Sequence, residues 1–98
     1  MTISADHYDE LVTIRHHIHE NPELSGQEFE TTAYLKAYLE GLNIEILETG
    51  LKTGLVAQVG QGEPVIALRA DIDALPILEN TGLSFASKNA GVMHACGH

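Results

Sequence analysis

The sequence predicts an α/β fold in which two helices precede three strands of a mixed sheet and a long loop. Three observations predict this order. Apolar residues recur at helical spacing over roughly the first 40 residues, polar and apolar residues alternate over 43–48, and two short apolar runs follow at 55–59 and 64–69. The chain has 98 residues, which suits one small domain with one modest core.

The first helix is predicted from Ser4 or Asp6, either of which can cap it, to about His19, because Pro22 then prevents its continuation. Several histidines in this helix suggest a metal site, but no carboxylate or thiol on the same face completes a ligand set. We therefore expect these four histidines to be structural or solvated: His7, His16, His17 and His19.

The second helix is predicted over about Gly26–Glu40, where apolar and polar residues again alternate with a helical period. Ser25 and Glu28 form the Ser-x-x-Glu pattern of a capping box at its start. Gly41 is expected to end it, since glycine is common at helix C-termini.

The three strands are predicted at Asn43–Glu48, Leu55–Val59 and Pro64–Arg69. The third is apolar almost throughout, which is typical of a strand in the centre of a sheet. The link between the second and third strands is so short that we expect them to be antiparallel neighbours. Turn-forming residues dominate Ile77–Gly91, and a loop of this length in a small domain is usually functional.

Charge and cysteine content restrict the possible partners and the cellular compartment. Fourteen acidic and five basic residues give a formal net charge of −9, which disfavours binding to nucleic acids and to anionic membranes. The single cysteine excludes an internal disulfide and fits a reducing compartment. No signal peptide and no apolar run of about 18 residues is recognisable, so the sequence predicts a soluble, cytoplasmic protein.

The strongest chemical signal is the stretch from Met93 to His98. Cys96 and His98 offer a thiolate and an imidazole, which suit a soft divalent metal, and Gly97 between them allows a sharp turn. Two ligands do not close a site, which needs about four. Three other interpretations remain open, namely a buried structural cysteine, a solvated terminal histidine and a Cys-His catalytic dyad.

Two carboxylates, Asp71 and Asp73, follow the most apolar predicted strand, and strand ends of α/β sheets are common ligand sites. Carboxylates often lie beside metal-bound thiolates and imidazoles, so these residues can belong to the same site as Cys96 and His98. Each aspartate alone could equally serve a turn or cap a helix.

The motifs together resemble a known family. In order, they are Arg15 to Ser25 with Glu28 and Thr31, then Arg69 to Ile77, then Met93 to His98. This set resembles the start of the metal-dependent amidohydrolases of metallopeptidase family twenty. The branch it matches contains hippurate hydrolase, indole-acetyl-amino-acid hydrolases and N-acetyl-diaminopimelate deacetylase. The resemblance covers nearly the whole chain and depends on the combination of motifs.

The resemblance implies that residues 1–98 are the N-terminal portion of a three-layer α/β/α, zinc-peptidase-like catalytic domain. It implies an enzyme that uses two divalent ions (Zn, Mn, Co or Ni) and metal-activated water to cleave N-acyl amino acids. Cys96 and His98 match the family's ligands, and Asp71 matches a catalytic residue that orients a ligand. Arg69 occupies a position where other branches have a metal-binding histidine, and it cannot ligate. His19 and Glu23 match a motif without a ligand role.

The resemblance also implies parts that this sequence does not contain. Family members carry a general-base glutamate and further histidine ligands after the cysteine motif, and a second domain that pairs subunits. We therefore expect a parent protein that forms a homodimer or homotetramer, and a 98-residue polypeptide that is inactive alone. The alternatives are a non-catalytic metal-binding or interaction fragment, and a thiol enzyme that uses Cys96.

Overall fold

The computed structural model describes residues 5–96, in which two helices are followed by a small sheet. Helix α1 spans Ala5–Glu20 and helix α2 spans Phe29–Gly41. Strand β1 spans Glu45–Leu47 and strand β2 spans Val56–Gln58. The predicted order of helices and then strands is confirmed. No helix in the described part is long and apolar enough to cross a bilayer.

Helix α2 begins later than predicted, and its first turn is stabilised by a residue outside the helix. Its N-cap residue is Glu28, whose side chain makes no capping hydrogen bond, so the predicted capping box does not form. The Glu23 carboxylate accepts hydrogen bonds from the backbone N–H groups of Glu30 at 3.1 Å and Thr31 at 2.6 Å. It therefore satisfies N–H groups that have no partner within the helix.

The end of helix α2 depends on Asn43 more than on the predicted stop at Gly41, which is the last helical residue. Asn43 has a positive φ of 60°, and asparagine is among the few residues that tolerate this conformation. The N–H groups of Leu42 and Ile44 both donate to the carbonyl of Leu39, at 3.0 and 3.1 Å. The backbone therefore changes direction after α2 and continues directly into β1.

The sheet contains two antiparallel strands within the described residues. The register pairs Glu45 with Gln58, Ile46 with Ala57 and Leu47 with Val56. The Gly54 N–H donates to the Thr32 hydroxyl at 2.7 Å, which ties the connection between the strands to α2. The hairpin and the second helix therefore form one unit.

Contrary to the prediction, Pro64–Arg69 forms no strand within the described residues. Val65 and Ile66 are each 84 % exposed and Leu68 is 97 % exposed, although a central strand would bury them. Neither the predicted antiparallel pairing with the preceding strand nor a three-layer arrangement forms, because no neighbouring strand in residues 5–96 pairs with this segment.

The small buried core lies where the link between the helices meets the segment after Arg69. Pro22 and Ala74 are almost completely buried, and the Ala74 N–H donates to the Glu23 carbonyl at 2.8 Å. Leu24 and Ala74 also form an isolated parallel bridge. The residues that follow the predicted third strand are thus held against the body of the protein.

Candidate metal centre

A backbone pair brings the two candidate segments of the site together. The N–H of Leu75 donates to the Met93 carbonyl and the N–H of Met93 donates to the Leu75 carbonyl, each at 2.9 Å. Leu75 follows Asp71 and Asp73, and Met93 precedes Cys96, so the strand-end carboxylates and the cysteine motif enter the same region. The pair also closes the long predicted loop at its base.

The predicted metal ligands are only partly within the described residues. Cys96 is a free, exposed cysteine, so the interpretation of a buried structural thiol is wrong. His98 lies outside the described residues. Within residues 5–96, no group of three or more His, Cys, Asp and Glu side chains is placed to hold a metal ion. An exposed thiol remains chemically suited to a soft divalent cation, and further donors are required.

Asp71 forms an ion pair with Arg69, two residues earlier in the chain. The Arg69 Nη2 atom lies 2.9 Å from the Asp71 Oδ1 atom, and the two side chains are 88 % and 35 % exposed. An ion pair this exposed contributes little to stability. The arginine can still orient the carboxylate, and it places a positive charge beside it.

His94 is a candidate residue that the sequence interpretation did not single out. Its Nε2 atom is buried and has no hydrogen-bond partner in residues 5–96. Burial, together with the nearby His19, lowers the pKa of His94, and the charge and backbone of Asp73 oppose this effect. A neutral imidazole is therefore favoured beside Cys96. The position of His94 inside the cysteine motif was the available signal.

A second interaction that the sequence did not reveal joins helix α1 to the closed loop. The His19 Nε2 atom lies 2.8 Å from the Glu79 Oε1 atom, and these side chains are only 12 % and 4 % exposed. Hydrogen bonds from Thr81, Ser87 and His19 lower the pKa of Glu79, and they outweigh the opposing effect of desolvation. Glu79 is thus favoured as a carboxylate although it is buried.

The loop also packs on the C-terminal end of α1 through several other contacts. The Phe85 ring stacks on the His16 ring with centroids 3.7 Å apart. The Lys88 N–H donates to the Glu20 carbonyl at 2.8 Å, and the Asn89 side chain donates to the Pro22 carbonyl at 3.3 Å. Helix histidines that were expected to be structural or solvated therefore do make structural contacts with this loop.

Comparisons with known proteins show which family this chain resembles. Residues 67–98 match the model of peptidase family M20/M25/M40. Over 91 residues the chain is 59 % identical to an N-acetyl-L-cysteine deacetylase of Bacillus subtilis, covering 91 % of this chain and 22 % of that protein. The resemblance to peptidase family M20 is confirmed. A second B. subtilis relative, an N-acetylcysteine deacetylase, is 57 % identical over 91 residues, covering 90 % of this chain and 24 % of that protein.

A solved M20 structure has the same fold over most of this chain. The B. subtilis YXEP protein, described as a dinuclear metal binding peptidase from the M20 family, matches with a TM-score of 0.87 and 55 % identity. The match covers 92 % of this chain and 26 % of that one. The chain thus spans about a quarter of the length of its M20 relatives. Its two helices and two-stranded sheet correspond to the N-terminal part of an M20 peptidase.

The segment that matches the M20 model contains the three residues predicted from the motifs, Asp71, Cys96 and His98. It also contains Glu79 and His94, whereas His19 lies outside it. The roles of the three predicted residues stay predictions. The contacts of Glu79 and His94 show that the M20 segment is anchored to the first helix by side chains distant in sequence.

Proposed function

We propose that the protein is a metal-dependent amidohydrolase that cleaves N-acyl amino acids into a carboxylic acid and a free amino acid. The observation that carries the proposal is the Leu75–Met93 backbone pair, which brings the carboxylate segment and the cysteine motif of an M20-like sequence together. The deacetylase relatives support a small N-acyl substrate, and N-acetyl-L-cysteine is the first compound to test.

Two divalent ions, Zn, Mn, Co or Ni, are the proposed cofactors, supported by the dinuclear metal binding described for the YXEP protein. Cys96 and His98 would hold metal, and Asp71, oriented by Arg69, would position a ligand. When bound, such ions supply polarisation of the amide carbonyl and acidification of water. In the reaction, water adds across the amide C–N bond, which breaks to release the acid and the amine.

In this proposal, residues of this chain supply metal ligands and the groups that position them. The second candidate is a non-catalytic metal-binding or interaction fragment, supported by the free and exposed thiol of Cys96.

The finer fold is part of the same proposal. We propose that Pro64–Arg69 becomes a paired inner strand in a three-layer catalytic domain. Its support is the exposure of Val65, Ile66 and Leu68, which leaves three large apolar side chains in water. A cytoplasmic homodimer or homotetramer is the proposed state of the protein, supported by the family resemblance and the single free cysteine.

The test is hydrolysis of N-acetyl-L-cysteine and N-benzoylglycine by the protein as it occurs in the cell. The reaction is monitored by measuring the free amine that is released. We expect chelation to abolish activity and added Mn²⁺ or Zn²⁺ to restore it. Cys96→Ser should weaken metal binding by at least about 100-fold, since outer partners of ligands alone are worth about 10–100-fold. Gln58→Ala, on the exposed strand β2, is the matched control.

The possible results separate the candidates. Activity that survives complete metal removal but is lost on alkylation of Cys96 would establish a thiol enzyme instead. Metal binding without hydrolysis of any N-acyl amino acid would support the non-catalytic alternative. Metal-dependent turnover by the 98-residue polypeptide alone would overturn the expectation that it lacks a complete site.

A further inference from the structure

Glu79 carries the single carboxylate side chain of the loop over residues 77–91, and the proposed reaction gives it no role. Its side chain is only 4 % exposed. The Oε1 atom contacts His19 Nε2 at 2.8 Å and accepts from the Ser87 N–H at 3.0 Å, while the Oε2 atom accepts from the Thr81 hydroxyl. A buried carboxylate is stable only with such partners, so its environment is specific.

A chain of hydrogen bonds connects Glu79 to the backbone before the cysteine motif. Ser87, whose N–H donates to Glu79, directs its hydroxyl to the Val92 carbonyl at 2.7 Å. The same hydroxyl accepts from the Asn89 N–H at 3.1 Å. Val92 immediately precedes Met93, which pairs with Leu75. Ser87 therefore contacts both Glu79 and the residue that precedes Met93.

The second route from Glu79 runs through His19 to the cysteine motif itself. The His19 ring lies 6.3 Å, between centroids, from the His94 ring. His19 is in the last turn of α1, so the ion pair with Glu79 links this helix to the loop. The Glu79 carboxylate thus supports the segment from two sides, through Ser87 and through His19.

We propose that Glu79 is a positioning residue that sets the geometry of the segment from Val92 through Cys96, acting through Ser87 and His19. Glu79 is not a ligand in this proposal and touches no substrate. The expected effect on metal binding rests on the proposed function. The expected effect on the backbone of this segment can be measured in the metal-free protein. Outer partners that orient ligands typically change metal affinity about 10–100-fold, which sets the expected effect.

The experiment uses Glu79→Ala and the isosteric Glu79→Gln in the protein as it occurs in the cell, with two measurements. Hydrogen exchange of the Leu75 and Met93 amides in the metal-free protein reports how often the hydrogen bonds between these two residues open. Cobalt(II) titration reports affinity and the thiolate-to-cobalt absorption band of Cys96. We expect Glu79→Ala to speed Met93 exchange and weaken cobalt binding, each at least about tenfold, with a changed absorption band. Glu79→Gln should fall between this variant and the wild type.

Glu20→Ala is the matched control, because it also removes a carboxylate that binds the loop. Glu20 pairs with the Lys88 ammonium at 3.2 Å, but this contact is exposed and lies outside the Glu79 network. We expect the control to leave the exchange of Met93 and the cobalt band unchanged. If Glu79→Ala does not fold, Glu79→Gln keeps the shape of the side chain and decides the question.

Each outcome has a definite meaning. Unchanged Met93 exchange in the Glu79 variants would overturn the inference, and so would faster exchange with unchanged cobalt affinity and absorption. An equal effect of Glu20→Ala would show that loop anchoring in general, and not Glu79, sets the geometry. Wild-type protein that binds no cobalt would overturn the proposed function, and the exchange comparison would then decide whether Glu79 fixes the segment.

Discussion

Replacing Glu23 by alanine should lower the free energy of unfolding by about 2 kcal/mol. The Glu23 carboxylate accepts from the Thr31 N–H and hydroxyl, both at 2.6 Å, and from the Glu30 N–H at 3.1 Å. Thr31 is only 5 % exposed, so its two donors lose their partner inside the protein. A lost helix cap costs about 1 kcal/mol, and an unsatisfied buried donor costs about 1–3 kcal/mol.

The assay is urea unfolding followed by circular dichroism, with Glu48→Ala as the control. Glu48 is exposed and lies outside the helices and strands, so we expect its replacement to change the free energy of unfolding by less than about 0.5 kcal/mol. If Glu23→Ala behaves like Glu48→Ala, then Glu23 does not cap α2 and the physical account of this helix is wrong.

The same substitution has a consequence for pH dependence. Burial raises the pKa of Glu23, but hydrogen bonds from Thr31 and Glu30 outweigh it, so the pKa lies below the ordinary value of 4.5. A lowered folded-state pKa means that the stabilisation is present above 4.5 and is lost as the pH falls through the folded value. Stability of the wild type should therefore fall more steeply below this pH than stability of Glu23→Ala. Parallel curves would contradict the assignment.

Two further substitutions test packing by the same urea assay. Ala74→Leu should destabilise the protein by about 1–3 kcal/mol, because Ala74 is 2 % exposed and a larger side chain has no space. Ala57→Leu, on the exposed strand β2, should leave the free energy of unfolding nearly unchanged. Equal effects would refute this picture of the core. Phe85→Leu should lower the free energy of unfolding by about 0.5–1.5 kcal/mol, because the stack on His16 is lost. Phe29→Leu should lower it less, because Phe29 is 55 % exposed. The reverse order would argue against docking of the loop through Phe85.

Local patterns in the sequence predicted the helices well, because a helix depends mainly on neighbours a few residues away. Helix α1 ends at Glu20, one residue beyond the predicted His19. The start of α2 was predicted less accurately. The Glu23 carboxylate, from outside the helix, accepts hydrogen bonds from the first turn, whereas Ser25 was expected to cap it. A capping-box pattern indicates which residues could cap and does not exclude a competitor a few residues earlier.

The sequence motifs selected the candidate segments, but they did not reveal the long-range contacts between them. Asp71 and Cys96 were selected from their own segments, and the Leu75–Met93 pair does bring those segments together. The Glu79–His19 pair joins residues 60 positions apart, and no periodicity or spacing relates them. Contacts of this kind are set by the tertiary path of the loop, which the sequence alone predicted only as long and turn-rich.

The proposed pairing of Pro64–Arg69 would also affect the geometry of the candidate site. Val65, Ile66 and Leu68 would be stabilised by burial against neighbouring strands, at roughly 1.5–3 kcal/mol for each side chain fully buried. Arg69 and Asp71 follow this segment directly, so pairing of the strand would also fix the backbone from which the carboxylate extends. By contrast, Ala74 and Leu75 are already anchored, through Glu23 and Met93. The downstream half of the candidate site is therefore held by contacts within residues 5–96, whereas its upstream half would be fixed by the proposed strand pairing.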